Sequence, residues 1–553
     1  MSSISQASPR SATLLCCALA ATTFFAASTR AQSFATAQLR TELPSAKSDA
    51  IFEAIAKEGL QNSKVMDYLD YLVNSIGPRL TGSDNYTLAC KWAKQEFEKL
   101  GLRVQLEPWD EWQFVFNRGQ WTGRMTAPEE VELQVATEAW TAGTRGAITG
   151  KAVRVPETIA EIEALAGKVE GKWLVVRKPT RRTNDAMAAW QHTLLFAETE
   201  GAAGIVYSSD GDAKYPNRIR VFGSREMALK ANSKIPTLPQ ICVRKDQWTK
   251  IDKLLEGGQE VELMFDIRNR FRREKVVLHN VIADLVGTKK PDEMVIVCGH
   301  LDSWHQATGT TDNGTGATST MEAARILSAV GAKPERTIRF ILWGGEEQGL
   351  LGSRAYVNKH RSELAKVSGV FNHDTGTNWA QSIGVPADMH EAMTKVCAPL
   401  EALSAPDADY KGPIFTLGKL KSMGGGGRGG GGSDHASFLA ADVPAWSWGL
   451  KGRSDYFQHT WHSQWDTFDV AIPEYQRHTS TVIATVALGV ANLDELLCRD
   501  SVGRNATRSA TAEPAAAPAS KGEAKSETKP EAGKQKDGDK APEGSGTVVR
   551  RRG

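Results

Sequence analysis

The chain has 553 residues, a formal net charge of +2 at pH 7 and 24% charged residues. A chain of this length exceeds one compact core, so we expect two or three domains. The near-neutral charge gives no electrostatic reason to bind nucleic acid or an anionic membrane, and we expect neither as a partner.

The first 31 residues have the pattern of a secretory signal peptide. Arg10 precedes an apolar stretch at residues 12–27, and Ala31 is the small residue before the predicted cleavage site. The stretch is too short and too rich in small residues for a stable membrane span, although a signal anchor is the alternative. We therefore expect an exported protein, periplasmic or extracellular, with no stable membrane span.

Residues 32–130 are predicted to form the first part of an α/β domain. Ser83 is suited to cap a helix, and Gly101 is placed to end it. Residues 102–106 then alternate between apolar and polar side chains, as a half-buried strand does. A helix followed directly by a strand is typical of the first units of such a domain.

The pattern of predicted strands and helices changes over residues 131–275. Short strand-like runs at 172–177 and 204–207 alternate with helical patterns at 184–200 and 245–255. This segment contains no cluster of metal-ligand residues in its sequence. We expect it to be an inserted α+β domain.

The second part of the α/β domain is predicted at residues 276–500. Two apolar runs at 294–298 and 338–343 are typical of strands buried on both faces of a parallel sheet. A helical pattern with Ala317 and Met321 on its apolar face lies between them and fits a crossover helix.

Polar clusters follow these two strands and the crossover. In an open α/β sheet, ligands bind beyond the carboxyl ends of the strands, so these side chains would gather at one edge. Crowded carboxylates need a counter-charge, and imidazole with carboxylates suits zinc, alone or as a pair of ions. The alternatives are N-capping by Asp312 and a solvated acidic turn at Glu346 and Glu347. The five side chains are His300, Asp302, Asp312, Glu346 and Glu347.

The remaining segments continue the α/β pattern. Residues 366–371 and 444–450 read as further strands, and residues 472–497 read as a closing helix. Glycine-rich residues 424–432 favour a mobile loop. Residues 501–553 lack large apolar side chains, so we expect a disordered low-complexity tail.

Five blocks in this order resemble the zinc-binding blocks of the M28 metallopeptidase family, and within it the carboxypeptidase Q group. They are G-H-L-D-S-W from residue 299, T-D-N-G-T-G from 311, L-W-G-G-E-E-Q-G from 342, N-H-D-T-G-T from 372 and W-H-S-Q-W-D-T from 461. The likeness runs from about residue 68 to 497. The inserted segment resembles a protease-associated domain, which implies a lid, a cleft wall or a partner surface.

The resemblance implies a role for each matching residue. His300, Asp312 and Asp374 match the ligands of one zinc ion, and Asp312, Glu347 and His462 match those of a second. Glu346 matches the general base, and Asp302 matches the carboxylate that orients the His300 imidazole. His459 is the alternative to His462, and we expect His373 to lie behind the ligands or at the surface.

These matches imply a three-layer αβα zinc-peptidase domain that cleaves dipeptides or short peptides from one end. Two zinc ions per chain are expected, although cobalt or manganese would also suit the ligands. The segment Ser433-Asp434-His435 resembles M28 aminopeptidases rather than the carboxypeptidase Q group, so amino- and carboxypeptidase action both stay open. The alternatives are a non-catalytic, receptor-like relative and a single-zinc acyltransferase like glutaminyl cyclase. A homodimer is possible.

Overall fold

The computed structural model describes residues 46–178, 183–223, 235–424 and 432–504. The predicted signal peptide at 1–31 and nearly all of the glycine-rich loop and of the predicted disordered tail lie outside the described residues. Within the described ranges, no helix combines the length and the apolar character needed to cross a bilayer.

The described chain alternates strands and helices. Most strands of the predicted insert, residues 131–275, lie between the helices Asp84–Lys99 and Lys245–Glu256. The strands of the described chain are β1 (Arg103–Trp112), β2 (Val115–Asn117), β3 (Trp121–Ala127), β4 (Val131–Leu133), β5 (Val135–Thr137), β6 (Ile148–Arg154), β7 (Trp173–Val176), β8 (Gly204–Ser208), β9 (Gln240–Val243), β10 (Glu262–Ile267), β11 (Arg270–Arg272), β12 (Val276–Leu285), β13 (Lys290–His300), β14 (Arg336–Trp343), β15 (Val367–Asn372), β16 (Trp379–Pro386), β17 (Thr416–Leu420), β18 (Ala445–Ser447) and β19 (Gly449–Lys451). Its α-helices are α1 (Ala46–Gln61), α2 (Val65–Asp70), α3 (Asp84–Lys99), α4 (Ile159–Glu163), α5 (Asn184–Thr199), α6 (Lys245–Glu256), α7 (Thr315–Ala329), α8 (Leu351–Lys359), α9 (Ala387–Cys397), α10 (His435–Leu439) and α11 (Pro473–Ala491).

A six-stranded sheet, which we call the central sheet, has the order β1-β12-β14-β13-β15-β18. The four strands β14, β13, β15 and β18 are parallel, whereas β1 and β12 pair antiparallel. Every residue of β14 and β15 is buried, as expected for strands covered on both faces. The α/β fold class with a mixed sheet is therefore confirmed.

The helices around this sheet follow the local signals in the sequence. The Ser83 side chain accepts a hydrogen bond from the Tyr86 amide at 3.1 Å and caps α3, as predicted. Gly101 follows α3 with φ +76°, a conformation that glycine adopts without strain. The crossover helix α7 buries Ala317 and Met321, and it packs on β13 and β14.

A second, eight-stranded sheet has the order β4-β3-β10-β6-β7-β8-β9-β5. Successive side chains of β7 face two different apolar clusters: Trp173 and Val175 lie in one, Leu174 and Val176 in the other. Both faces of this sheet are therefore covered. The sheet already includes β3, which pairs with β10. It thus begins at Trp121, ten residues before the predicted boundary at 131.

The strand predicted at residues 444–450 is in fact two short strands. β18 joins the central sheet beside β15, whereas β19 joins a three-stranded sheet of order β17-β16-β19. Gly449 marks the change of sheet, because a Cβ atom there would lie 2.2 Å from the Ser382 hydroxyl on β16. A side chain at this position would require the Ser382 side chain to move and would still lie 3.2 Å from the Ser382 main-chain oxygen.

Candidate metal centre

Three polar side chains from separate parts of the chain meet at the carboxyl edge of the central sheet. His300 ends β13, Asp374 lies just beyond β15, and Asp312 lies in the turn Thr310–Gly314 before α7. The Nε2 atom of His300 is 3.3 Å from Oδ1 of Asp312 and 3.4 Å from Oδ1 of Asp374. We call these three residues the first ligand group.

Asp312 also belongs to a second ligand group, with Glu347 and His462. The Nε2 atom of His462 is 3.0 Å from Oδ2 of Asp312 and 3.1 Å from Oε2 of Glu347. Glu347 lies in the turn after β14, and His462 lies in the loop after the turn Tyr456–Thr460. In each group the candidate ligand atoms lie within 4.8 Å of one another. The structure thus brings together all five residues predicted as ligands.

The chemistry of these atoms fits divalent cations. Nε2 of His300, Oδ2 of Asp312 and Oε1 of Glu347 are buried and make no hydrogen bond of acceptable geometry with the described residues, although the first two lie 3.0–3.3 Å from other candidate ligand atoms. A buried polar atom left unpaired costs about 1–3 kcal/mol, so such atoms normally have a ligand. Imidazole nitrogens with carboxylate oxygens are a donor set that zinc takes.

The electrostatics of the two groups favour a positive ion as well. Burial raises the pKa of Glu347 to about 7, and the Asp312 carboxylate adds to the shift. Burial acts to lower the pKa of His462, but the Glu347 and Asp312 carboxylates outweigh it and raise that pKa to about 9. Both shifts include a contribution from neighbouring buried carboxylates, whose negative charge a bound cation would neutralise.

Asp302 was predicted to orient the His300 ring through its carboxylate, but its closest contact with that ring is made by its main-chain oxygen. The Nδ1 atom of His300 is hydrogen-bonded to the Asp302 main-chain oxygen at 2.9 Å, whereas the nearer Asp302 carboxylate oxygen is 3.7 Å away. That carboxylate accepts hydrogen bonds from the Glu346 amide at 3.2 Å, the Glu347 amide at 3.3 Å and the Thr81 hydroxyl at 2.8 Å. Its side chain therefore fastens the turn after β14 and also stays at ion-pair distance from the His300 ring.

Glu346 precedes Glu347 in the chain but, unlike Glu347, belongs to neither ligand group. Glu346 is buried, and burial raises the pKa of its carboxyl group well above the usual value. The His300 imidazole opposes this shift, while the Asp374 carboxylate adds to it. The interpretation of Glu346 and Glu347 as a solvated acidic turn is therefore wrong.

Two buried residues of the site were not assigned a role from the sequence. Asp466 accepts hydrogen bonds from the Thr311 amide at 2.6 Å and the Asp312 amide at 3.1 Å. Arg79, fully buried, donates to the main-chain oxygens of Leu301 and Gly309, each at 2.8 Å. Asp466 lies in the block that begins at residue 461, but only the folded chain shows which backbone atoms Asp466 and Arg79 hold.

Several alternatives from the sequence are also resolved. His459 stacks on Tyr215 with ring centroids 5.1 Å apart and lies in neither ligand group. His373 is fully buried rather than at the surface, and burial lowers its pKa to about 4. Asp312 does not cap α7, because Gly314 occupies the N-cap position.

The sheet edge with two overlapping ligand groups and an adjacent buried glutamate has the parts of a metal-dependent hydrolase. Comparison with known proteins gives the particular class. Residues 280–487 match the model of peptidase family M28. Carboxypeptidase Q of Mus musculus is 26% identical over 461 residues, which cover 80% of this chain and 89% of that protein. An aminopeptidase of Pseudomonas aeruginosa is 26% identical over 347 residues, or 57% of this chain and 58% of that protein.

Solved structures agree with this assignment. A peptidase M28 precursor from Shewanella amazonensis has a TM-score of 0.59 and 26% identity, over 82% of this chain and 98% of that chain. BSAP, a zinc aminopeptidase from Bacillus subtilis, shares the fold with a TM-score of 0.51 and 17% identity, over 79% of this chain and 97% of that chain. The chain is a metallopeptidase, and its residues 280–487 are similar to peptidase family M28.

Proposed function

We propose that this metallopeptidase is a two-zinc exopeptidase acting on dipeptides or short peptides. The observation that carries the proposal is the position of Asp312. Its Oδ1 atom is 3.3 Å from the His300 ring nitrogen, and its Oδ2 atom is 3.0 Å from that of His462. A carboxylate that offers one oxygen to each of two cations is the bridge that two-metal hydrolases use.

In this proposal each ligand group holds one zinc ion, and Asp312 belongs to both. His300 and Asp374 complete the first site, and Glu347 and His462 complete the second. Bound zinc would supply Lewis acidity, which lowers the pKa of a water molecule and polarises a carbonyl group. The Asp302 carboxylate holds the turn that carries Glu347, so we assign it a positioning role.

Glu346 is the proposed general base. Burial raises its pKa, and a raised pKa gives a carboxylate the proton affinity that a base near neutral pH needs. Glu346 takes a proton from the attacking water as the water oxygen bonds to the peptide carbonyl carbon. It returns that proton to the amide nitrogen as the C–N bond breaks, which releases an amine and a carboxylic acid.

The substitution Glu346→Gln tests this assignment. We expect turnover to fall about 100-fold to 10,000-fold, because the amide keeps the shape of the side chain and cannot accept the proton. Zinc content, measured by elemental analysis, should stay at the parent value. Glu107→Gln is the control: Glu107 is also buried, but it binds Lys359 and His360 outside the ligand groups. Parent-level activity in Glu346→Gln would contradict the role.

The end of the peptide that is recognised is a separate question, since the similar proteins include both a carboxypeptidase and an aminopeptidase. A panel of unblocked, N-blocked and C-blocked dipeptides answers it. A requirement for the free amine indicates aminopeptidase action, and a requirement for the free carboxylate indicates carboxypeptidase action. Cleavage of doubly blocked peptides at internal bonds would contradict the exopeptidase proposal.

We also propose that the second sheet belongs to an inserted domain like the protease-associated domain. In support, the sheet has its own apolar clusters, and the chain enters and leaves beside the paired strands β2 and β11. Export stays a prediction from residues 1–31, and N-terminal sequencing of protein recovered outside the cytoplasm tests it.

A further inference from the structure

A segment that follows strand β8 of the second sheet lies along the loop that carries His462. We call residues 214–222 the docking segment and residues 455–466 the His462 loop. Their main chains meet directly, because Arg220 and Ser463 form an antiparallel bridge. The Gln464 side chain adds two hydrogen bonds of 2.8 Å, one from the Ile219 amide and one to the Asn217 oxygen.

Two arginines of the docking segment hold the main chain of the His462 loop. Arg218, whose side chain is 4% exposed, donates to the Gln458 oxygen at 2.8 Å and is held in place by Asp212 at 2.9 Å. Arg220 donates to the Phe457 oxygen at 2.6 Å. Hydrogen bonds from a charged donor are stronger than those between neutral groups, so these contacts are among the stronger ones on the loop.

Aromatic rings extend the contact between the docking segment and the His462 loop as far as His462. Tyr215 stacks on His459 and donates its hydroxyl to Asp455 at 3.1 Å. Phe222 packs edge to face on the His462 ring, with centroids 4.9 Å apart. The His462 imidazole is therefore in direct ring contact with a residue of the docking segment.

His462 itself has a conformation that needs support. Its φ of +57° lies in the left-handed region, which is unfavourable for a non-glycine residue and persists only where its surroundings hold it. The end of the loop is held to the turn Thr310–Gly314 by Asp466, whose carboxylate accepts hydrogen bonds from the Thr311 and Asp312 amides. The portion from Asp455 to Gln464 is the part that the docking segment holds.

We propose that the docking segment positions His462, with Arg218 and Arg220 as the positioning residues. It keeps the loop in the conformation in which Nε2 of His462 faces Asp312 and Glu347. The second ligand group is then complete only while the segment is docked. The proposal rests on the proposed function for the identity of what the second group binds, a divalent cation.

The structure makes this effect selective for the second group. His300 and Asp374 are placed by β13 and β15, whereas His462 lies in a loop outside the strands. Partners that support a metal ligand typically change metal affinity 10-fold to 100-fold when they are removed. We therefore expect weaker binding of one cation and unchanged binding of the other.

The test is a titration of the full, metal-free chain with Co²⁺, followed by visible absorption. The variants are Arg220→Met alone, as the milder change, and Arg218→Met with Arg220→Met. His462→Ala identifies the binding event that depends on the second group. Arg154→Met is the matched control, because Arg154 is an arginine of the second sheet whose side chain binds Asp252 at 2.7 Å and Glu256, outside the His462 loop.

We expect both docking variants to weaken the His462-dependent event 10-fold to 100-fold while the other event and the control keep parent affinity. Hydrogen exchange should also become about tenfold faster in residues 455–466 of the metal-free variants, because their tethers are lost. Unchanged affinities, equal loss of both events, or loss in the control would overturn the proposal. If the parent binds one ion only, the two-ion function fails, and the exchange rates alone decide the positioning role.

Discussion

The buried histidine His478 gives a quantitative prediction about acid stability. It lies on α11, is 1% exposed and packs edge to face on Trp379, with centroids 4.9 Å apart. Neither ring nitrogen has a hydrogen-bond partner among the described residues, and burial lowers the pKa to about 4. An unfolded histidine has a pKa of about 6.5. Below that pH the unfolded chain therefore binds a proton that the folded chain does not.

This difference makes the free energy of unfolding fall as the pH falls from about 6.5 to about 4. A depression of about 2.5 pKa units corresponds to roughly 3 kcal/mol once the pH is below 4, and to about 2 kcal/mol between pH 7.5 and pH 5. The variant His478→Leu cannot take up the proton. We expect it to lose about 2 kcal/mol less than the parent chain over the same pH interval.

Urea unfolding with excess chelator at pH 7.5 and pH 5 measures the difference. Only the change between the two pH values matters, so a packing loss caused by leucine cancels. Val482→Ala is the control: Val482 is buried on the same helix and has no titrating group, so it should lower stability equally at both pH values. Equal pH dependence in His478→Leu and the parent would refute the reasoning.

Three other substitutions test the support of the metal centre. Asp312→Asn should reduce the zinc content from about two ions per chain to below one, since both groups lose a charged ligand; unchanged content by elemental analysis would contradict the bridge. Asp466→Ala should lower the free energy of unfolding by about 2–5 kcal/mol, because two buried amides lose their acceptor, and urea unfolding measures this. Arg79→Met should weaken zinc binding about 10-fold in a competition with a chelator, because the loop around Leu301 and Gly309 loses its donor; parent affinity would show that the loop holds without it.

The sequence predicted the central sheet because its signals are local. The runs that became β13 and β14 are apolar and β-branched, and polar clusters follow directly at His300 and Glu346. Parallel strands end at the same edge of a sheet, so a pattern along the chain could be converted into proximity in space. The placement of Asp374 followed the same rule once the family resemblance supplied its role.

Contacts that depend on turn conformation or on distant pairing could not be predicted in this way. Which oxygen of Asp302 faces His300 depends on the path of the loop after β13, and the sequence gives no signal for that path. The pairing of β3 with β10 joins segments more than a hundred residues apart, so the early start of the second sheet had no local sign. The docking of Arg218 on Gln458 is of the same kind.

The supporting carboxylates show how the fold fixes the ligands. The Asp302 carboxylate accepts hydrogen bonds from the amides of Glu346 and Glu347, and the Asp466 carboxylate accepts one from the amide of Asp312. Each of these buried carboxylates therefore holds the main chain at a ligand or at the proposed base without belonging to a ligand group. Hydrogen bonds from main-chain donors to a charged acceptor do not depend on a cation, so the ligand-bearing turns are fixed by the protein itself. These hydrogen bonds hold the ligand carboxylates close together despite their mutual repulsion, and a bound cation relieves that repulsion. A cation therefore binds more strongly here than at a site that has to assemble around the ion.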